Sequence, residues 1–365
     1  LLPVLAQSFG LGYAQIGAIR AVHSGAMWLL EIPAGILSER VGERRLLVLG
    51  LTGAGVGYLT MSLSNGYHGV LLALLIAGCG AAFQHSLCSS LIAGAFEGPD
   101  RRVALGTYNA SGDTGKLLFT GIASVLFGFQ LGWQGLAVGY GFVALTAAVI
   151  LWFVLRSIRK STVLPTALGA RTVVGGWGVR DRKGFVSLAS IVFLDIAVQD
   201  GFLVFVAFLM VAKQVPPALA AFAVVATLAG GVCGKFACGH LAAKLGIVRS
   251  LVLVQSLTAI LMTIVFLSPT IVAFMLLPLL GIVLQGSSSI SYATVSNFVH
   301  DARQSRGFAA IYTMSNGASV AGPLVFGFVA DSFRLGVSVA AMVGATLITL
   351  PLALCLRSAL KRTDA

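Results

Sequence analysis

Charged residues are scarce in this sequence, and two long stretches lack them altogether. Asp, Glu, Lys and Arg make up 10% of the 365 residues, against about 25% in an ordinary soluble domain. Residues 46–96 and 250–300 form two windows of 51 residues without a single charged side chain. One bilayer-spanning helix needs about 20 apolar residues, so each window holds two spans and a tight turn. This pattern excludes an ordinary soluble domain.

Several chemical motifs are also missing. The sequence has no GxxxxGK[ST] loop, which argues against direct ATP coupling. It has no HExxH-like or CxxC spacing, and its five histidines are scattered, which argues against a membrane enzyme or a metal centre. Repeated filter loops and rings of like charge, which a channel would need, are absent too. We therefore predict no enzymatic activity, no cofactor and no metal site.

The apolar stretches predict an all-α polytopic membrane protein. Backbone polar groups inside a bilayer must bond to one another, and no alternating ten-residue pattern indicates a barrel. We predict eleven complete helical spans, preceded by the tail of another at 1–8. The spans run near 14–37, 46–65, 69–95, 104–128, 133–155, 185–211, 217–241, 250–267, 270–298, 307–330 and 335–356.

Basic residues are concentrated in alternate loops, which accounts for the net charge of +12. Nineteen of the 24 lysines and arginines lie in one set of loops, whereas the opposite set holds only Lys213 and Arg334. Basic loops stay in the cytoplasm, so we expect a cytoplasmic C-terminus and a cytoplasmic linker at 156–183, in a bacterial inner (plasma) membrane. Membrane topology thus explains the charge, and no nucleic-acid partner is expected.

The sequence repeats itself at an offset of 204 residues, and the two uncharged windows superpose at this offset. The duplication predicts one six-helix bundle at 1–155 and a second at 184–365, in the same orientation. The counterpart of the span at 185–211 would begin before residue 1, so we expect an N-terminal truncation that removes most of a first helix. Matching positions are Gly35 with Gly239, Gly42 with Gly246, Arg102 with Arg306, Tyr108 with Tyr312, and Ser111 with Ser315.

The loop after the first complete span carries a recognisable motif, Gly-Ile-Leu-Ser-Glu-Arg-Val-Gly-Glu-Arg-Arg at 35–45. It resembles the signature loop of the major facilitator superfamily, which implies two pseudo-symmetric six-helix bundles and a gating latch. The resemblance implies that Glu39 latches with Arg101 or Arg102 and with the helix that starts near Arg306. The implied gating residues are Gly35, Glu39, Arg40, Gly42, Arg44, Arg45, Arg101 and Arg102.

The sequence departs from the pattern of that superfamily in places. The acid is Glu39 where aspartate is usual, and in the second copy of the loop Ala243 replaces the acid. The Gly-Pro motif of the superfamily's antiporters is missing from the span at 104–128, and Gly322-Pro323 lies in the repeat partner of that span. Gln84-His85, Tyr108-Asn109 and Gly112-Asp113 together resemble the fosmidomycin-resistance type of efflux carrier.

Ionisable residues within the spans are candidates for function because they are costly in a bilayer. A rise of about 1.5 Å per helical residue places four of them near the middle of the membrane: Glu31, Asp113, Asp195 and Lys235. When the partial span at 1–8 is counted as the first, span five is 104–128 and span eight is 217–241. These two spans face each other in the superfamily, which suggests an Asp113–Lys235 pair between them. The alternative is an Asp113–Lys116 pair within one helix, at a spacing of i, i+3.

Other polar residues lie on spans four, seven and ten, which line the central cavity in the superfamily. Polar groups that converge in an apolar wall are typical of a small-solute site. We therefore expect a monomeric secondary transporter in the lipid bilayer, which moves a small solute by alternating access and is coupled to protons. Efflux is favoured over uptake of an organic metabolite. The additional candidates are Gln84, His85, Asp195, Gln199, Asp200 and Gln285.

Overall fold

The computed structural model confirms an almost entirely helical chain. It describes residues 5, 8–10, 13–129, 132–161, 176–215 and 217–363. Within these residues the helices are α1 Tyr13–Val41, α2 Glu43–Ser62, α3 Tyr67–Ala81, α4 His85–Ala95, α5 Gly98–Gly128, α6 Trp133–Ser161, α7 Arg182–Ala212, α8 Pro217–Leu245, α9 Ile247–Leu267, α10 Thr270–Phe298, α11 Gln304–Ser332 and α12 Leu335–Thr363. Each predicted span from 14 onward lies largely within these helices.

Seven helical segments of the described chain are long and apolar enough to cross a membrane by length and composition alone. One of them is the α3–α4 segment, Tyr67–Ala95. The long helices α1 and α5 are more polar. Helix α5, for example, carries Asp113 and Lys116 within its length and three charged residues in its first turns. The predicted linker at 156–183 falls largely outside the described residues, at 162–175.

Span four is broken into α3 and α4 by a tight turn at residues 82–84. The backbone N–H groups of Phe83 and Gln84 donate to the carbonyls three residues earlier, at 3.3 and 3.0 Å. This turn points Gln84 at α2, where its Nε2 donates to the carbonyl of Leu47 at 3.2 Å. The break is therefore stabilised by a bond between helices.

The chain forms two compact units. Unit 1 comprises residues 1–91, 115–177 and 305–313, and unit 2 comprises residues 92–114, 178–304 and 314–365. Each unit contains most of one predicted half together with a short piece of the other. The boundaries of the halves at 155 and 184 stay a prediction drawn from the repeat.

Glycine allows very close helix packing within both units. In unit 1, a Cβ on Gly50 of α2 would lie 2.7 Å from the carbonyl oxygen of Gly80 on α3. In unit 2, Gly230 and Gly234 of α8 press against the backbone of Pro278 and Ile282 on α10. Small residues at such contacts let backbones approach where lipid offers no hydrophobic driving force. These contacts position the polar side chains described next.

Candidate functional site

An ion pair joins α5 to α8 in unit 2. Lys235 Nζ lies 2.5 Å from Asp113 Oδ2, and each side chain is 15% exposed. The helices approach closely below the pair, since a Cβ on Gly106 would lie 3.0 Å from the Cα of Gly239. The sequence leaves two partners open for Asp113, and the structure shows the ion pair with Lys235. Lys116 lies three residues further along α5 and has an exposed side chain.

A second polar cluster surrounds Asp195 on α7, which is 3% exposed. Its carboxylate accepts hydrogen bonds from Gln255 Nε2 at 2.9 Å, Gln199 Nε2 at 2.9 Å and Ser287 Oγ at 2.7 Å. These partners come from α7, α9 and α10, so the carboxylate ties three helices together. Lys235 also attracts Asp195 electrostatically. The cluster and the ion pair therefore form one charged region within unit 2.

Two further predicted residues of unit 2 lie on the same helices. Gln285 of α10 is 5% exposed and packs against Gly231 of α8. Its Nε2 is buried without a hydrogen-bond partner among the described residues. Asp200 is half-buried and follows Gln199 on α7. A buried amide with an unused donor is a group that a polar solute could engage.

The predicted residues of unit 1 have local partners. Glu31 is fully buried, and its Oε1 accepts the backbone N–H of Ser86 at 3.3 Å. His85 stacks on Tyr312, with ring centroids 5.5 Å apart. The Tyr312 hydroxyl lies 2.9 Å from Ser89 Oγ. His85 and Ser89 thus share one aromatic neighbour, as their i, i+4 spacing suggests.

The motif loop at 35–45 contacts the start of α11 in unit 1. Glu39 forms a two-pronged ion pair with Arg306, with Oε1 2.6 Å from Nε and Oε2 2.7 Å from Nη2. A Cβ on Gly35 would lie 2.7 Å from both Ala309 Cβ and the carbonyl oxygen of Ser305. The helix that starts near Arg306 is thus the partner that the structure gives to Glu39.

The other arginines that the resemblance implies for gating have other surroundings. Arg101 Nε donates to the carbonyl of Phe96 at 2.8 Å, and Arg102 Nη1 to that of Ala242 at 3.4 Å. Arg44 Nη1 donates to the carbonyl of Leu155 at 3.4 Å. Arg40 and Arg45 are exposed, as cytoplasmic topology residues would be. Gly42 adopts φ +95° between α1 and α2, a conformation that favours glycine.

The motif contains a second carboxylate that the sequence pattern does not single out. Glu43 begins α2 and accepts hydrogen bonds from Ser90 Oγ and, at 3.0 Å, from Ser305 Oγ. Burial raises the pKa of Glu43, while the bonds to Ser90 and Ser305 and the charge of Arg44 oppose that shift. The sequence gives one signal for this buried, hydrogen-bonded carboxylate, which is that a glutamate lies between Gly42 and Arg44 of the motif.

The family model of the Major Facilitator Superfamily matches residues 1–323 of this sequence. The chain belongs to the Major Facilitator Superfamily. Solved structures of this superfamily share the fold. The transporter FucP in the outward conformation gives a TM-score of 0.79 at 14% identity, over 97% of this chain and 92% of FucP. The human organic anion transporter MFSD10 gives a TM-score of 0.74 at 16% identity, over 96% of this chain and 88% of MFSD10.

Curated relatives of this superfamily member are transporters and not enzymes. A probable 4-methylmuconolactone transporter of Cupriavidus pinatubonensis is 26% identical over 76% of this chain and 64% of its own length. The bacillibactin exporter of Bacillus subtilis is 29% identical over 32% of this chain and 31% of its own length. A probable L-galactonate transporter of Escherichia coli is 24% identical over 43% of this chain and 34% of its own length. The chain thus spans under two thirds of the length of each of these relatives.

Membership in the superfamily places the two polar regions in a multi-pass membrane protein. The Glu39–Arg306 pair belongs to the motif loop, and the Asp113–Lys235 pair lies eleven residues beyond Arg102 along α5. Gln255, which bonds to Asp195, is absent from the polar residues expected to line the cavity. It is a neutral polar residue in an uncharged window, where spacing along one helix cannot reveal a partner on another.

Proposed function

We propose that this superfamily member is a proton-coupled secondary transporter that exports a small organic acid. The observation that carries the proposal is the Asp113–Lys235 ion pair at 2.5 Å, with the Asp195 cluster beside it. Charges within a bilayer are expensive and persist where they serve transport.

Lys235 supports an anionic substrate. It is the cation of a region that otherwise holds the carboxylates of Asp113 and Asp195, and it interacts with both. A substrate carboxylate is able to replace Asp113 on Lys235, since the two are chemically alike. The relative named for L-galactonate, a carboxylate anion, is consistent with this class.

Asp113 supports proton coupling. Breaking a buried pair by leaving one charge alone costs about 3–5 kcal/mol. A substrate anion that takes Lys235 therefore favours protonation of Asp113, because the neutral acid needs no counter-ion. Proton uptake and anion binding at this pair then favour each other, so the anion and the proton move in the same direction and export is driven by the outward gradient of the acid.

Export is the proposed direction. The resemblance of Gln84-His85 and Gly112-Asp113 to fosmidomycin-resistance carriers implies efflux, and one relative is named an exporter. A monomer in a bacterial inner membrane, with the C-terminus in the cytoplasm, completes the proposal.

The test is substrate-induced pH change in proteoliposomes, across a panel of organic acids, small drugs and sugars. Asp113→Asn and Asp195→Asn are measured beside the parent protein. Asp100→Asn is the matched control, because Asp100 is an exposed carboxylate in the first turn of the same helix as Asp113. We expect acid-dependent proton movement in the parent and in Asp100→Asn, and its loss in Asp113→Asn.

The other outcomes separate the parts of the proposal. Movement of labelled acid without proton flux would contradict proton coupling and would be consistent with a carrier that is not coupled to protons. Movement of sugars or neutral drugs alone would remove the organic-acid class. Uptake of labelled acid that needs an inward proton gradient, with no efflux of preloaded acid, would reverse the direction.

A further inference from the structure

A buried acid of unit 1 lies at the start of a helix that begins inside a span. The turn at 82–84 breaks span four, so α4 starts at His85, within a segment apolar enough to cross the membrane. The first N–H groups of a helix have no acceptors in the helix itself. Glu31 of α1 supplies one acceptor, because its Oε1 accepts the N–H of Ser86 at 3.3 Å. In transporters, the positive end of such a half-helix within the membrane binds anionic groups.

The contacts of Glu31 are those of a neutral acid. The side chain is fully buried, and its Oε2 has no hydrogen-bond partner among the described residues. The bond from the Ser86 N–H is longer than the about 2.7–2.9 Å of charge-assisted hydrogen bonds. An ionised carboxylate is so costly to bury without a counter-charge that such a group is neutralised by a proton instead.

Other acids within or beside the spans have stronger partners. Asp113 pairs with Lys235 at 2.5 Å, and Glu39 forms a two-pronged pair with Arg306. Asp195 accepts hydrogen bonds from three side chains. A cation or several donors thus stabilise the ionised form of these acids, whereas the acid at the break of span four accepts a single backbone N–H.

The internal repeat provides no counter-ion for Glu31 of the kind that Lys235 has. The repeat partner of Glu31 at the offset of 204 is Lys235 itself, whose acid is Asp113. The repeat partner of Asp113 is Gly317, which has no side chain that could carry a charge. One copy of the repeat thus contains a cation and an acid at these two positions, whereas the other contains the acid alone.

No titratable side chain of the described residues hydrogen-bonds to the Glu31 carboxyl group. On the facing stretches of α1 and of the helices that contact it, the titratable or charged side chains are His23 and Glu39 of α1, Glu43, Arg44 and Arg45 of α2, Cys79 of α3, His85 and Cys88 of α4, and Arg306 and Tyr312 of α11. The Ser86 hydroxyl approaches the carboxyl group without reaching hydrogen-bond geometry. Because a hydroxyl both donates and accepts, it suits a protonated as well as an ionised Glu31.

We propose that Glu31 is a proton-binding site, and that loss of its proton tightens the contact between α1 and the start of α4. With the proton bound, the neutral carboxyl group accepts one long hydrogen bond from Ser86. When the O–H bond breaks, the proton passes to water, and the carboxylate is attracted to the first N–H groups and the positive end of α4. This site shares no residue with the Asp113–Lys235 pair, and the inference does not depend on the proposed function.

Infrared spectroscopy of the purified full chain in detergent detects the proton directly, because the C=O stretch of a protonated carboxyl group lies apart from carboxylate and amide bands. In the difference between the parent and Glu31→Gln at neutral pH, we expect the band of a protonated carboxyl group. It should shift in heavy water, disappear reversibly when the pH is raised, and change frequency in Ser86→Ala. Glu97→Gln is the matched control without such a band, since Glu97 is exposed and an exposed glutamate is ionised at neutral pH.

Hydrogen exchange of the backbone N–H groups at 85–89 tests the effect on α4. Glutamine has the shape of a protonated glutamate, so the parent and Glu31→Gln should exchange equally at neutral pH. At a pH where the infrared band has disappeared, exchange should be slower in the parent than in Glu31→Gln at the same pH. The expected difference is about 2- to 5-fold, the size of the effect of a charge at a helix N-terminus.

The proposal is overturned if the difference spectrum at neutral pH has no band of a protonated carboxyl group, because Glu31 is then ionised. It is also overturned if the parent and Glu31→Gln exchange equally at both pH values, because the proton then has no effect on α4. A Glu31→Gln protein that does not fold contradicts it as well, since a neutral side chain of the same shape should satisfy this site.

Discussion

The contact of α1 with the start of α11 and the contact of α5 with α8 are repeat partners built with different chemistry. The first, in unit 1, has Gly35 against Ser305 and Ala309 and an ion pair at the membrane edge, Glu39 with Arg306. The second, in unit 2, has Gly239 against Gly106 and an ion pair deeper along the helices. The comparison teaches that a duplicated backbone contact keeps one glycine, Gly35 in the first copy and Gly239 in the second, while the position of its ion pair changes.

The difference has a physical reason. The charges of an ion pair at the membrane edge are hydrated when they separate, so opening the pair costs little. While it is formed, the pair holds its two helices together. The charges of an ion pair within the span are not hydrated when they separate. Such a pair therefore opens only when another charge replaces one partner or when a proton neutralises the acid. We therefore expect the contact of α1 with α11 to act as a latch and the contact of α5 with α8 to act as the coupling element.

The largest effect is expected from Lys235→Ala, which removes one partner of the deep pair. It leaves Asp113 without its cation, a loss that corresponds to about 3–5 kcal/mol for a buried pair. Transport in proteoliposomes should fall at least about 100-fold. The reversal Asp113→Lys/Lys235→Asp should recover part of the activity that Asp113→Lys loses. If the reversal recovers no transport activity, the pair has a structural role in helix packing and not a role in coupling.

Gly35→Ala and Gly239→Ala compare the two backbone contacts directly. A Cβ on Gly35 meets Ser305 O and Ala309 Cβ at 2.7 Å, whereas one on Gly239 meets Arg102 O at 3.0 Å. We expect overpacking of about 1–3 kcal/mol for Gly35→Ala and less for Gly239→Ala. Thermal unfolding of the two variants in detergent measures the order, and equal midpoints would contradict it.

Glu39→Gln weakens the latch without changing its shape. The two-pronged pair with Arg306 becomes a neutral contact, with an expected loss of about 1.5–3 kcal/mol of charged hydrogen bonding. Cysteine accessibility at Ser305→Cys, compared with the same cysteine in the parent background, should rise. Arg40→Gln, at the exposed neighbour, should leave it unchanged.

The smallest effect concerns pH and Glu43. Because the pKa of Glu43 is raised on folding, its contribution to stability is present below the pKa of an unfolded glutamate and is lost as pH rises through the folded value. Glu43→Gln should flatten that part of the pH profile of the unfolding midpoint. Glu97→Gln, an exposed carboxylate, is the control. An unchanged profile in Glu43→Gln would contradict the assignment.

Much of the fold could be predicted from the sequence because helical spans are long and charges within them are rare. The Asp113–Lys235 pair was among the predicted alternatives because spans five and eight face each other in the superfamily and both residues lie at a similar depth in the membrane. Neutral groups gave no such signal. Gln255, for example, is one of many uncharged polar residues in its window, and only the structure brings it to Asp195.

Gln84 illustrates the converse difficulty. Its place on span four predicts a solute-facing side chain, yet its amide donates to the carbonyl of Leu47 beside the break between α3 and α4. Residue spacing shows which face of a regular helix a side chain occupies. A tight turn within the span rotates the following residues about the helix axis, and residue spacing does not predict the size of that rotation.

The glycine contact between α8 and α10 also restricts how the deep pair can open. Gly230 and Gly234 lie directly on the backbone of α10, with no side chain between them that could change rotamer. Lys235 follows Gly234, so its backbone has almost no freedom to travel relative to α10. Any change in the separation of Asp113 and Lys235 must then come from displacement of α5 or from rotation within the lysine side chain. A distance label on α5 would report the transport cycle, whereas one between α8 and α10 would stay constant throughout it.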